Sequence, residues 1–141
     1  MQIFGADGSR LQGWVDLLPS HINCATLDAR GRKVVTGLHD GRIMVHNHST
    51  GALLKVAETN HTREVSGLTY VRYASCLVSS SWDRSIIVHA DTSPSVLGTV
   101  RVIPNAHNGD ILCVAASESE DVGLIMSGGN DFAVRFHDFF S

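Results

Sequence analysis

Apolar residues in this chain come in runs of only a few positions, and turn formers close each run. Val34, Thr36 and Leu38 alternate with Val35 and Gly37 at period two, and Ile86, Ile87 and Val88 make a β-branched run. Both patterns suit a pleated strand, whose successive side chains point to opposite faces. Ala29-Arg30-Gly31, Asp40-Gly41, Ser49-Thr50-Gly51, Asn108-Gly109 and Gly129-Asn130 supply turn chemistry between the runs. No segment sustains a 3.6-residue period. The pattern predicts an all-β chain of short antiparallel strands.

The runs also repeat. Ile22–Asn47, Val65–Ala90 and Ile111–Asp138 align with one another. Each has an apolar start, a turn, a run ending in Thr or Ser, an Asp four residues on, and a second run. The hydroxyl column is Thr36, Ser79 and Ser127, the carboxylate column Asp40, Asp83 and Asp131, and the imidazole column His46, His89 and His137. All three columns keep the same spacings, 43 and then 48 residues. The five extra residues of the last unit divide between the Ser117–Gly123 turn and the stretch from His89 to His107. A unit of three or four strands at ~40–45 residues has the size of a propeller blade. One small sheet leaves apolar faces exposed, so such units stack.

On these residues the chain resembles the WD-repeat β-propeller family over nearly its whole length. The resemblance implies a partial propeller of about three four-stranded antiparallel WD-type blades with scraps at each end. Residues 1–20 would close a preceding blade, with Ile3-Phe4-Gly5-Ala6 aligned on Val45–His48 and Arg10–Leu17 as its outer strand. Residues 21–60 and 61–106 would each be a blade, and 107–141 a blade lacking its outer strand. Propellers close with four to eight blades. The expectation is therefore a piece of a larger propeller, or self-association that covers the open ends.

The pair Trp82-Asp83 looks like the dipeptide that names the family but does not occupy its place. In the family that dipeptide closes the third strand, about six residues after the turn Asp. Here those slots hold His46-Asn47, His89-Ala90 and His137-Asp138, and Trp82 falls on the preceding turn. The resemblance further implies a hydrogen-bonded tetrad of loop His, hydroxyl, turn Asp and closing aromatic. Carried over, the second unit has His61, Ser79, Asp83 and His89, and the third has His107, Ser127, Asp131 and His137. The first has Thr36, Asp40 and His46, with Leu18 where the loop His would stand. A neutral imidazole still offers one ring N–H, so it can replace the indole donor, although it buries less area.

Composition narrows the function. Of the 141 residues 43% are hydrophobic and 18% charged, a globular balance. A net charge of −3 without a basic block gives no reason to expect nucleic acid as a partner. The apolar runs are too short to span a bilayer, and the first twenty residues lack a signal-peptide core. Cys24, Cys76 and Cys113 are odd in number and widely spaced, which suits reduced thiols and a cytoplasmic setting. His107, Ser127 and Asp131 have the residue types of a hydrolase triad, but the same trio recurs as His61, Ser79 and Asp83. A lattice of repeats reads as structure. His46, His89 and His137 lie on successive sheets stacked ~10 Å apart and cannot share one ion at ~2 Å. No metal or cofactor is expected.

The resulting expectation is a non-enzymatic protein–protein interaction scaffold. Partners would meet rim loops carrying His39, Arg63, Trp82, Asn108 and Asn130. A hydrolase-like use of His107, Ser127 and Asp131 is the reading from another class. Glu64–Val71, Trp82–Asp91 and His107–Ala115 look similar to WD-repeat proteins of cilia and flagella, which would imply an axonemal role.

Overall fold

The computed structural model describes residues 2–4, 7–13 and 18–140. Strands β1 (Gln2–Phe4) and β2 (Arg10–Gly13) form an antiparallel pair. Gly5, Ala6 and residues 14–17, which belong to the expected end of a preceding blade, lie outside the described residues.

Three blades follow. The first blade is β3 (Ile22–Leu27), β4 (Lys33–Leu38), β5 (Ile43–Asn47) and β6 (Leu53–Ala57). The second is β7 (Val65–Val71), β8 (Cys76–Ser81), β9 (Ile86–Ala90) and β10 (Val96–Ile103). The third is β11 (Ile111–Ala116), β12 (Leu124–Gly129) and β13 (Val134–Asp138). Each blade is an antiparallel meander. Each first strand also carries a bulge, at Ile22/Cys24, Val65/Gly67 and Ile111/Cys113, so even this irregularity repeats. The chain is an all-β partial propeller.

Burial follows the stacking. Along β8 every residue from Cys76 to Ser81 is buried, because the middle blade is covered on both faces. Val35, Ile43 and Val45 of the first blade pack against Val65, Leu77, Leu68 and Tyr70 of the second. The same columns one blade on, Val78, Ile86 and Val88, pack against Ile111, Ile125, Val114 and Ala116. A fully buried aliphatic side chain contributes about 1.5–3 kcal/mol, so these two seams hold the stack. In the third blade the equivalent residues, Met126, Val134 and Phe136, are exposed. Along β12, Ile125 and Ser127 are buried while Leu124 and Met126 face outward.

Two contacts between blades have no counterpart in the periodic pattern. β6 and β10, the outer strands of neighbouring blades, pair in parallel at Val56↔Val96 and Ala57↔Leu97. Lys55, 4% exposed, reaches from β6 to the carboxylate of Asp91 in the second blade. The Tyr70 hydroxyl donates to the other oxygen of Asp91 at 2.7 Å.

The turn between second and third strands needs a left-handed residue in every blade. Gly41, Arg84 and Phe132 hold this position with φ of 92°, 70° and 63°. Gly41 also lies under the next loop. Its Cβ, if present, would stand 2.1 Å from the His61 carbonyl oxygen, and the His61 N–H donates to the Gly41 carbonyl at 3.0 Å. This approach seats the loop that carries His61.

Candidate functional site

The second blade assembles the full polar chain. His61 is buried on the loop before β7, Ser79 is in the middle of β8, His89 is in β9, and Asp83 is on the turn between those strands. His61 Nδ1 lies 3.0 Å from Asp83 Oδ2, His61 Nε2 lies 2.8 Å from Ser79 Oγ, and Ser79 Oγ lies 2.9 Å from His89 Nε2. With both imidazoles neutral, one direction of donation satisfies these contacts. The Asp83 carboxylate accepts from His61 Nδ1–H. The bare Nε2 accepts from the Ser79 hydroxyl. Ser79 Oγ then accepts from His89 Nε2–H. The imidazole thus delivers the donor that an indole would supply.

The substitution leaves a mark. With its proton on Nε2, His89 keeps a lone pair on Nδ1, and that buried atom has no hydrogen-bond partner among the described residues. An indole has no second ring nitrogen and would leave no such orphan. Burial lowers the His89 pKa to about 3, so the ring is neutral at ordinary pH. Burial pushes the Asp83 carboxyl up. Bonds from His61, Ser85 and the Thr62 N–H more than offset this and hold it well below the usual carboxylate range.

The third blade repeats the geometry with a weaker last link. His107 Nδ1 lies 3.0 Å from Asp131, His107 Nε2 lies 2.8 Å from Ser127 Oγ, and Ser127 to His137 Nε2 stretches to 3.4 Å. The His107 bond leads the effects that lower Asp131 to about 2.

In the first blade Thr36, Asp40 and His46 do not meet. The Thr36 hydroxyl donates to the Met44 carbonyl at 3.4 Å. Asp40 accepts from Arg42 Nε and Nη2 at 2.8 and 2.6 Å. His46 Nδ1 is buried without a hydrogen-bond partner among the described residues. Without an imidazole on the preceding loop, the turn carboxylate takes the nearest cation instead. Ser79→Ala should therefore lower stability by about 1–2 kcal/mol, since it strands two buried imidazoles. Thr36→Val should cost clearly less, because only one long bond is lost. Urea titrations of both variants check the order.

As a hydrolase triad the arrangement fails on access. Ser79 and Ser127 are buried, and each hydroxyl is already held between two imidazoles. Neither hydroxyl is presented to a substrate. Among the described residues no group of three or more His, Cys, Asp or Glu side chains is placed to hold a metal ion.

Accessible side chains gather on the rim instead. Asn23, His39, Ser66, Trp82 and Leu112, with buried Val65 beneath them, line an open cleft of about 350 Å³. Trp82 is 36% exposed, and the Arg63 guanidinium stands 5.7 Å from its ring centroid. Glu64 lies 3.4 Å from His39 and 3.5 Å from Arg63, and Asp110 lies 3.7 Å from Arg63. Of the five rim candidates the structure gathers His39, Arg63 and Trp82. Asn108 and Asn130 are exposed on the third blade and do not line this cleft. Sequence reasoning missed Asn23, Ser66 and Leu112. They occupy one column, the second residue of each first strand, so extending the alignment by that column would have found them.

The family profile described as WD domain, G-beta repeat matches residues 53–89 and 98–138. The chain belongs to the WD40 repeat family. Its profile begins on an outer strand, so the first match runs from β6 through the tetrad to His89. A 69-residue stretch of the chain is 36% identical to the mouse (Mus musculus) Periodic tryptophan protein 2 homolog. That stretch covers 48% of this chain and 7% of that protein.

Among solved structures, a chain of the mitotic checkpoint complex superposes with a TM-score of 0.79 at 20% identity, over 99% of this chain and 42% of that one. The Myceliophteria thermophila Cps50 (Swd1) β-propeller domain gives 0.73 at 13% identity, over 88% and 38%. The computationally designed Ika4 protein gives 0.70 at 20%, over 86% and 68%. The chain thus spans well under half the length of the first two. At these identities the likeness establishes the fold.

Proposed function

We propose that this WD40 chain is a non-enzymatic interaction scaffold, one section of a larger propeller assembly that presents the Trp82 rim to partner proteins. The observation that carries the reading is the division of its polar groups. The His–Ser–Asp chains are buried and hold the blades' turns, while Trp82, Arg63 and His39 are exposed around a cleft. The open apolar face of Met126, Val134 and Phe136 supports the presence of further blades against β12 and β13. Relatives much longer than the matched stretch support it too.

Trp82→Ala should remove most partner binding while leaving the melting temperature within a few degrees of wild type, whereas Ser79→Ala should shift melting first. Affinity pull-down and thermal scans of the two variants check this. Binding that survives Trp82→Ala in full would remove the rim from the proposal. Three free thiols support a cytoplasmic setting. The stretches similar to ciliary WD-repeat proteins are the support for an axonemal one, and localisation of the tagged protein in ciliated cells tests it.

A further inference from the structure

A cation stands against Trp82, one wall of the rim cleft, and that cation belongs to the chain itself. Three features converge on the Arg63 guanidinium: the face of Trp82, the carboxylate of Glu64 and the carboxylate of Asp110. Each contact is loose. The N···O separations of 3.5 and 3.7 Å exceed the 2.7–2.9 Å range of a good charge-assisted bond. The Arg63 side chain is 52% exposed, while Glu64 and Asp110 are 16% and 25% exposed. The acceptors are therefore better fixed than the group they hold. Beside them Leu112 is exposed and Val65 forms a buried apolar floor, a surface on which a (CH₂)₃ stem can lie.

From this geometry we infer that the cleft is a receptor for an arginine side chain on a partner protein, and that Arg63 is its built-in occupant, displaced when the partner binds. A guanidinium is favoured over an ammonium because it stacks flat on an indole and can fork to two carboxylates at once. His39 is the other neighbouring donor and already faces Glu64 at 3.4 Å. It keeps that carboxylate oriented when Arg63 leaves. The inference rests on the rim reading above and adds the chemistry of the ligand.

The probe is a capped Gly-Arg-Gly tripeptide titrated into the 141-residue chain, followed by the Trp82 indole N–H resonance, with capped Gly-Lys-Gly as comparison. Arg63→Gln removes the internal competitor, and the arginine peptide should then bind about three- to ten-fold more tightly. Adding Asp110→Asn to that variant should reverse most of the gain. Glu118→Gln, an exposed carboxylate outside the cleft, should change nothing and so controls for bulk charge.

The inference is overturned if Arg63→Gln leaves affinity unchanged or lowers it. It is equally overturned if the lysine peptide binds as well as the arginine one, or if Glu118→Gln weakens binding as much as Asp110→Asn. Were the tripeptide to fail in these ways while Trp82→Ala still abolished partner binding, the scaffold reading would stand and the arginine receptor alone would fall.

Discussion

Replacing Lys55 with methionine should destabilise the chain by about 3–5 kcal/mol, the usual cost of leaving one member of a buried ion pair alone. Lys55 and Asp91 have side chains 4% and 8% exposed, so water cannot take over for the lost partner. Among the described residues the Asp91 carboxylate would then keep the bond from Tyr70 alone. The same environment already acts on the phenol: burial first, and then the bond to Asp91, raise the Tyr70 pKa above its ordinary value. The pair joins the outer strand of the first blade to the second, next to the short parallel pairing of β6 and β10. Its loss should loosen the seam between the two blades, not one blade alone. Lys55→Met with Asp91→Leu should recover much of the loss, because no unpaired charge then remains. Urea titrations of the two singles and the double give the coupling energy. A Lys55→Met variant within about 1 kcal/mol of wild type would show that the charge is solvated after all.

This lock was not legible in the sequence, whereas the blades were. Thr36, Ser79 and Ser127 keep fixed offsets from their Asp and His columns because every blade repeats one meander with the same turn. Local periodicity therefore reports strand, turn and register together. Lys55, Tyr70 and Asp91 occur once each. They meet only because two blades stack, and no repeat column announces that meeting. The pairing of β6 with β10 is hidden for the same reason. The tetrads were legible where a loop His was present, at His61 and His107. In the first blade Leu18 signalled the missing member, but the turn of Asp40 toward Arg42 depends on a side chain only two residues away. The rim was half legible. Trp82 stood out as a Trp on a turn, while no repeat column singles out Glu64 and Asp110, which the fold places beside Arg63.

Acid should unfold the chain well before its carboxylates alone would require. Burial holds His89 at about 3 and lowers His46 and His137 as well. An unfolded histidine titrates near ~6.5. Below that pH the unfolded state takes up protons that the folded rings refuse, so stability is full above ~6.5 and falls as the pH drops, until the folded ring itself protonates. For His89 this amounts to about 1.4 kcal/mol per pH unit, or about 3 kcal/mol by pH 4. The carboxylates act in the same direction but later. Asp83 and Asp131, held low by their imidazole partners, contribute stability that is present above ~4 and lost below it. The pH dependence should therefore begin near 6.5, in the histidine range. His89→Phe is the deciding variant. It removes the Ser79 partner and should be weaker at pH 7, yet its stability should fall less steeply between pH 6.5 and 4, by about one proton. Urea midpoints measured across that range give the slope directly. An unchanged slope in His89→Phe would mean that the ring is open to protons in the folded state, and the buried neutral imidazole would no longer explain how this blade does without its tryptophan.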